Sequence, residues 1–210
     1  MTRPDRTPPA SGLPRLLGAL PLWLLLLPFG VSFALAAWAL PRQPERVPVH
    51  WNAAGQPDRW GSPAQALLVL PGSLLFGALV VLAAARAGST SQPLLKAVVL
   101  GLGLMALGDV AAQAFGWNSF RVTMGTLGLL FLLVGPALGA SGPSALNGPR
   151  LSRATLRRLG QAWTLLGALV MLASLLAPAA VWITATLLVG LPVLGLAVIV
   201  GARQEQDTAQ

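Results

Sequence analysis

Residues 47–62 read Val47-Pro48-Val49-His50-Trp51-Asn52-Ala53-Ala54-Gly55-Gln56-Pro57-Asp58-Arg59-Trp60-Gly61-Ser62. This run holds the single histidine and two of the seven tryptophans of a 210-residue chain that is 55% hydrophobic. Pro48 disfavours helix at Val47, so residues 46–52 read as extended chain. Gly55 permits a positive φ and Pro57 fixes its own, so residues 53–58 read as a turn. Ser62 followed by Pro63 is a helix start, with a hydroxyl to cap the first turn and a proline where no N–H is needed. The segment is therefore expected to be a compact, hairpin-like polar loop set between apolar runs.

Those runs decide the fold class. Only 10% of the residues are charged and the mean hydropathy is +0.71, whereas soluble domains carry about 25% charge. Backbone groups in hydrocarbon must bond one another, as helices or a closed barrel. Barrel strands alternate apolar and polar residues. The runs here are continuous, so helices are expected, spanning about 16–40, 66–85, 94–115, 122–140, 161–176 and 179–201. Each approaches or exceeds the roughly 20 residues that cross a bilayer core. The expectation is an all-α integral membrane bundle of six transmembrane helices, with a structured extracytoplasmic loop between the first two. A secretory signal peptide would share the basic start of the first run but not its length. Pro21 and Pro28 lie inside that run, and a kink is expected near Pro28.

The chain divides accordingly. Residues 1–15 form a polar, proline-rich cytoplasmic tail expected to be disordered. Residues 16–141 form a four-span region that includes the outer loop at 41–63. A basic cytoplasmic loop follows at 142–160, then a two-span hairpin at 161–201 and a tail at 202–210.

The net charge of +8 and an isoelectric point near 11.9 raise nucleic acid as a partner, but the positions of the charges favour a membrane. With the N-terminus inside, Arg3, Arg6, Arg15, Arg86, Lys96, Arg150, Arg153, Arg157, Arg158 and Arg203 face the cytoplasm, while Arg42, Arg46, Arg59 and Arg121 lie outside. This is the bias that orients multi-pass proteins. It places both termini in the cytoplasm of a cell-membrane protein and gives no reason for direct nucleic-acid binding. Trp23 and Trp163 then fall near the inner boundary, and Trp38, Trp117 and Trp182 near the outer one. Indoles favour these levels because they have an apolar body and one polar N–H. Trp51 and Trp60 are expected to hold the loop at the interface. The one GxxxG motif, Gly135 to Gly139, contains Pro136 and is weak as a dimerisation signal.

With no cysteine, disulfides, thiolate metal sites and cysteine nucleophiles are excluded. A zinc site needs three or four ligands, and beside His50 only Glu45 and Asp58 are near in sequence. No P-loop, HExxH or Ser/His/carboxylate spacing is present. No enzyme activity, cofactor or metal is expected.

The candidate binding residues are His50, Asn52, Asp58, Arg59, Asp109, Arg150, Arg153 and Arg157. Histidine is the side-chain type that changes charge near neutral pH. His50 is either a ligand contact and pH sensor, or a loop anchor hydrogen-bonded to Asp58 or Asn52. Asp58 and Arg59 beside Trp60 are either a binding surface or a turn carboxylate with a solvated neighbour. Asp109, one helical turn before Gln113, is costly inside a membrane and should face the bundle interior. It is an ion or proton relay, or an interhelical hydrogen-bonding group. Arg150, Arg153, Arg157 and Arg158 share a helical face. That face either lies on the anionic inner leaflet or docks a cytoplasmic partner.

The pattern P-x-x-x-P-V-H-W-N-x-x-G-x-P-D-R-W-G-S over residues 44–62 resembles the N-terminal domain of a bacterial membrane superfamily that includes the Sdp-type toxin-immunity proteins. The matching positions are Pro48, His50, Asn52, Gly55, Pro57, Asp58 and Gly61. Further on, Asn147-Gly148-Pro149-Arg150 keeps a shortened form of a later family motif. The resemblance implies a six-span protein of the immunity or signalling type. Its partners would be the lipid bilayer, an extracellular peptide or toxin, and a cytoplasmic regulator such as a repressor. The other class the residues allow is a small transporter or channel component that uses Asp109 and Gln113.

Overall fold

A computed structural model describes residues 12–52, 54–87, 91–141, 152–176 and 190. Residues 1–11 and 202–210 of the tails, Arg150, and the expected sixth span at 179–201 apart from residue 190 lie outside these residues. Residues 13–15, expected to belong to a disordered tail, instead open the first helix.

Proline sets the first break. The opening apolar run is two helices, α1 (Leu13–Ala19) and α2 (Leu22–Ala39). Leu20 between them is extended, at φ −67° and ψ 134°, because the Pro21 ring excludes the preceding residue from helical geometry. The first run is thus broken at Pro21, while Pro28 lies inside α2. Two carbonyls at the break, those of Gly18 and Leu20, accept hydrogen bonds from Lys96 Nζ, both at 2.7 Å. The ammonium therefore serves as the cap of α1.

A single 3-10 turn (Leu40–Arg42) leads from α2 to a hairpin of β1 (Val47–Trp51) and β2 (Pro57–Gly61). The strands pair antiparallel, with Val47 opposite Gly61 and His50 opposite Arg59. This small sheet qualifies the all-α expectation. Gln65 N–H donates to Ser62 Oγ at 3.2 Å, so Ser62 caps α3 (Pro63–Ala87) as its sequence implied.

The remaining helices are α4 (Gln92–Phe115), α5 (Ser119–Gly139) and α6 (Arg153–Leu175). Five helical segments are long and apolar enough to cross a membrane, the arrangement of a multi-pass membrane protein. Helix α4 is central and packs on α2, α3 and α5. Leu25, Phe29, Ala78, Val99 and Ala106 bury one layer; Ala36, Ala39, Leu67 and Val110 bury another nearer the hairpin.

Helices α5 and α6 meet backbone to backbone. A Cβ on Gly135 would lie 2.6 Å from the Gly160 carbonyl, and one on Gly167 would lie 2.6 Å from the Gly128 carbonyl. Lipid supplies little drive for burial between helices, so such close approach has to come from small residues. The Gly135–Gly139 motif is thus engaged by α6 of the same chain. Because Ser152 caps it by accepting from Thr155 N–H at 3.2 Å, α6 begins at Arg153. Arg153, Arg157 and Arg158 stand on the opening turns of a helix that continues into the span.

Candidate functional site

The hairpin is built from local chemistry. Asn52 Oδ1 accepts the backbone N–H groups of Ala54 at 2.9 Å and Gln56 at 3.0 Å. The main chain closes the same turn, with Asn52 N–H donating to Gln56 O at 2.9 Å and Gly55 N–H to Asn52 O at 2.8 Å. Gly55 sits at φ 72°, a left-handed conformation that glycine adopts without steric cost. Asn52 is therefore the bracket of the turn.

Alternation along β1 separates two faces. Val47 is buried, and Val49 and Trp51 point toward the helices, while His50 faces solvent. On that open face His50 Nδ1 lies 2.5 Å from Asp58 Oδ1, with side-chain exposures of 51% and 42%. Of the two partners that the sequence offered His50, the structure selects Asp58. Arg59 and Trp60 are exposed beside them.

Three carboxamides relate the other face to the bundle. Gln113, at the hairpin end of α4, donates from Nε2 to the Pro48 carbonyl at 3.4 Å. Gln43 Nε2 donates to the Gln113 carbonyl at 3.2 Å. Gln65 of α3 lies under Gly61, which has no side chain to clash with it. Beside the hairpin, Trp38, Phe115 and Trp117 form a run of tilted rings with centroids 6.2 and 5.4 Å apart. Arg42 lies 4.5 Å over the Trp38 ring and donates to the Trp38 carbonyl.

Beneath β1 is a cavity of about 110 Å³ lined by Val49, Trp51, Gln65, Val69, Asp109 and Gln113. Asp109 is 4% exposed and accepts a hydrogen bond from Thr123 Oγ1 of α5 at 3.1 Å. The interhelical bond foreseen for Asp109 is present, and the same carboxylate lines a pocket roofed by the hairpin. A second, more open cleft of about 420 Å³ lies on the other side of Trp51, where Gln113 and Trp117 line it.

His50, Asn52, Asp58 and Arg59 thus share the hairpin, with Asp109 below them. Arg153 and Arg157 stand at the opposite end of the bundle, and Arg150 is outside the described residues. Sequence reasoning missed Gln43, Gln65, Thr123 and Lys96 as partners. For Thr123 a signal existed: Asp109 and Thr123 are each seven residues from Gly116, so a tight turn there sets them level. Among the described residues no group of three or more His, Asp or Glu could hold a metal ion.

Residues 23–75 match the model of a family described as a domain of unknown function, DUF1648, which is associated with membrane proteins. The match takes in α2, the hairpin and the first half of α3, and stops short of Asp109. No curated protein and no solved structure matches the chain.

Proposed function

We propose that this is a non-enzymatic multi-pass membrane protein of the immunity or signalling type, and that its hairpin meets a membrane-active peptide or toxin outside the cell. The observation that carries this reading is the way the hairpin divides its labour. The hairpin is fixed to α4 through Gln113 and Pro48, and it leaves His50, Asp58, Arg59 and Trp60 exposed to solvent. An aromatic ring beside a paired histidine and carboxylate suits a surface that must grip an amphipathic ligand at the water boundary. In this reading both termini are cytoplasmic, and Arg150, Arg153 and Arg157 offer a site for a cytoplasmic regulator. Membership of the Sdp-type superfamily belongs to the same proposal and is supported by the hairpin pattern.

The test is survival under challenge with membrane-active peptides, in cells lacking or overproducing the protein. His50→Ala and Asp58→Ala should abolish protection at an unchanged protein level. Normal survival of both variants would remove the hairpin face from the mechanism.

A second reading rests on the cavity under β1. A buried carboxylate with carboxamide neighbours is an element of a path for small cations or protons. In that case the protein is a small transporter or channel component, with Asp109 and Gln113 in the path. Flux in proteoliposomes that persists in Asp109→Asn would eliminate a relay through Asp109.

A further inference from the structure

At the end of the bundle away from the hairpin, one face of α6 changes character with depth. Arg157, Gln161 and Leu165 follow at intervals of four, so they form one row along the helix. Thr164 adjoins Leu165 on this face, and Arg153 is the next step outward in the row. The row is one wall of an open groove of about 750 Å³, with Pro14 of α1 and Gly139 of α5 on the other walls. That volume lies within the roughly 300–1,000 Å³ of sites that hold small ligands. Glycines line the contact of α5 and α6 there, so side chains do not fill it. From the bundle end inward, a ligand in the groove meets a guanidinium, then a carboxamide and a hydroxyl, then apolar surface. A phospholipid presents its phosphate, its ester groups and its acyl chain in the same order.

The charge is complementary as well. Arg15, Arg86, Lys96, Arg153, Arg157 and Arg158 lie at this end, and among the described residues the carboxylates Glu45, Asp58 and Asp109 all lie in the hairpin half. A diffuse basic surface attracts anionic headgroups without fixing them. A guanidinium at the mouth of an apolar groove adds a planar fork that matches phosphate oxygens. We infer that this groove binds one anionic phospholipid, with its phosphate on Arg157 and an acyl chain along Leu165. The site is independent of the hairpin and of what the hairpin recognises.

Native mass spectrometry of the full chain, released from detergent with phosphatidylglycerol or with phosphatidylcholine of the same acyl chains, tests this. The wild type should retain one phosphatidylglycerol in preference to phosphatidylcholine, and inorganic phosphate should not displace it. Arg157→Gln should weaken retention about tenfold, the scale of one lost charge-assisted contact. Arg158→Gln removes the same charge one residue away, outside the groove, and should behave as wild type. Equal loss in the two variants would reduce the effect to surface charge and overturn the site. Equal retention of the two lipids, displacement by phosphate, or no retained lipid would overturn it too.

Discussion

His50 and Asp58 are in contact, yet both are about half exposed. Exposed ion pairs contribute only about 0–1 kcal/mol, so the pair does little to hold the hairpin. His50→Ala should therefore leave thermal unfolding within a few degrees of wild type, and a phenotype in that variant would report on recognition. Asn52 is the opposite case. Its side chain accepts from two backbone N–H groups, and a typical hydrogen bond contributes about 0.5–1.5 kcal/mol net. Asn52→Ala should speed backbone hydrogen exchange at 54–58 while α4 keeps its protection. Exchange unchanged at the turn would remove Asn52 as its bracket. Lys96 holds two carbonyls where α1 stops, and hydrogen bonds to charged groups contribute about 1.5–3 kcal/mol each. Lys96→Met should lower the melting temperature and make the stretch around Leu20 sensitive to protease. An unshifted melting curve would mean that other donors replace the ammonium.

Among the elements, the α5–α6 pair depends most on what is absent. Gly160 lies against Gly135 and Gly139 at distances that admit no side chain, whereas a Cβ on Gly139 would meet its nearest neighbour at an ordinary 3.7 Å. Gly160→Val should prevent α6 from docking and leave little folded protein, since even modest overpacking costs about 1–3 kcal/mol. Gly139→Ala should be tolerated. Folded yields that are equal for the two variants would contradict the packing described. The sequence made the hairpin and the long helices legible because their signals are local: Pro48, Gly55, Ser62-Pro63, and unbroken apolar runs. The remainder depended on contacts between distant residues. Pro21 and Pro28 look alike in sequence, but only Pro21 has an ammonium waiting for the carbonyls that it frees. The repeated glycines at 128 and 135, and at 160 and 167, share a spacing of seven, which becomes informative only once the two helices are paired. The polar loop and Asp109 were both evident as polar exceptions in an apolar chain. That the first roofs the second followed from β1 alternation together with the antiparallel arrangement of α3 and α4.

For the whole molecule, the account turns on which end faces out. Among the described residues, Arg42, Arg46, Arg59 and Arg121 lie at the hairpin end, and six lysines and arginines lie at the other. By the charge bias of multi-pass proteins, that asymmetry supports the proposed orientation, with the hairpin outside. Recognition of an extracellular agent requires this orientation. The chain has no cysteine, so a single introduced thiol reports its own side without a background. The decisive measurement is labelling of Gln56→Cys at the hairpin tip and Arg158→Cys on α6 by a membrane-impermeant maleimide in intact cells. The account predicts that Gln56→Cys is labelled directly and that Arg158→Cys is labelled only after permeabilisation. The reverse pattern would put the hairpin in the cytoplasm and contradict its proposed role as the outer recognition element.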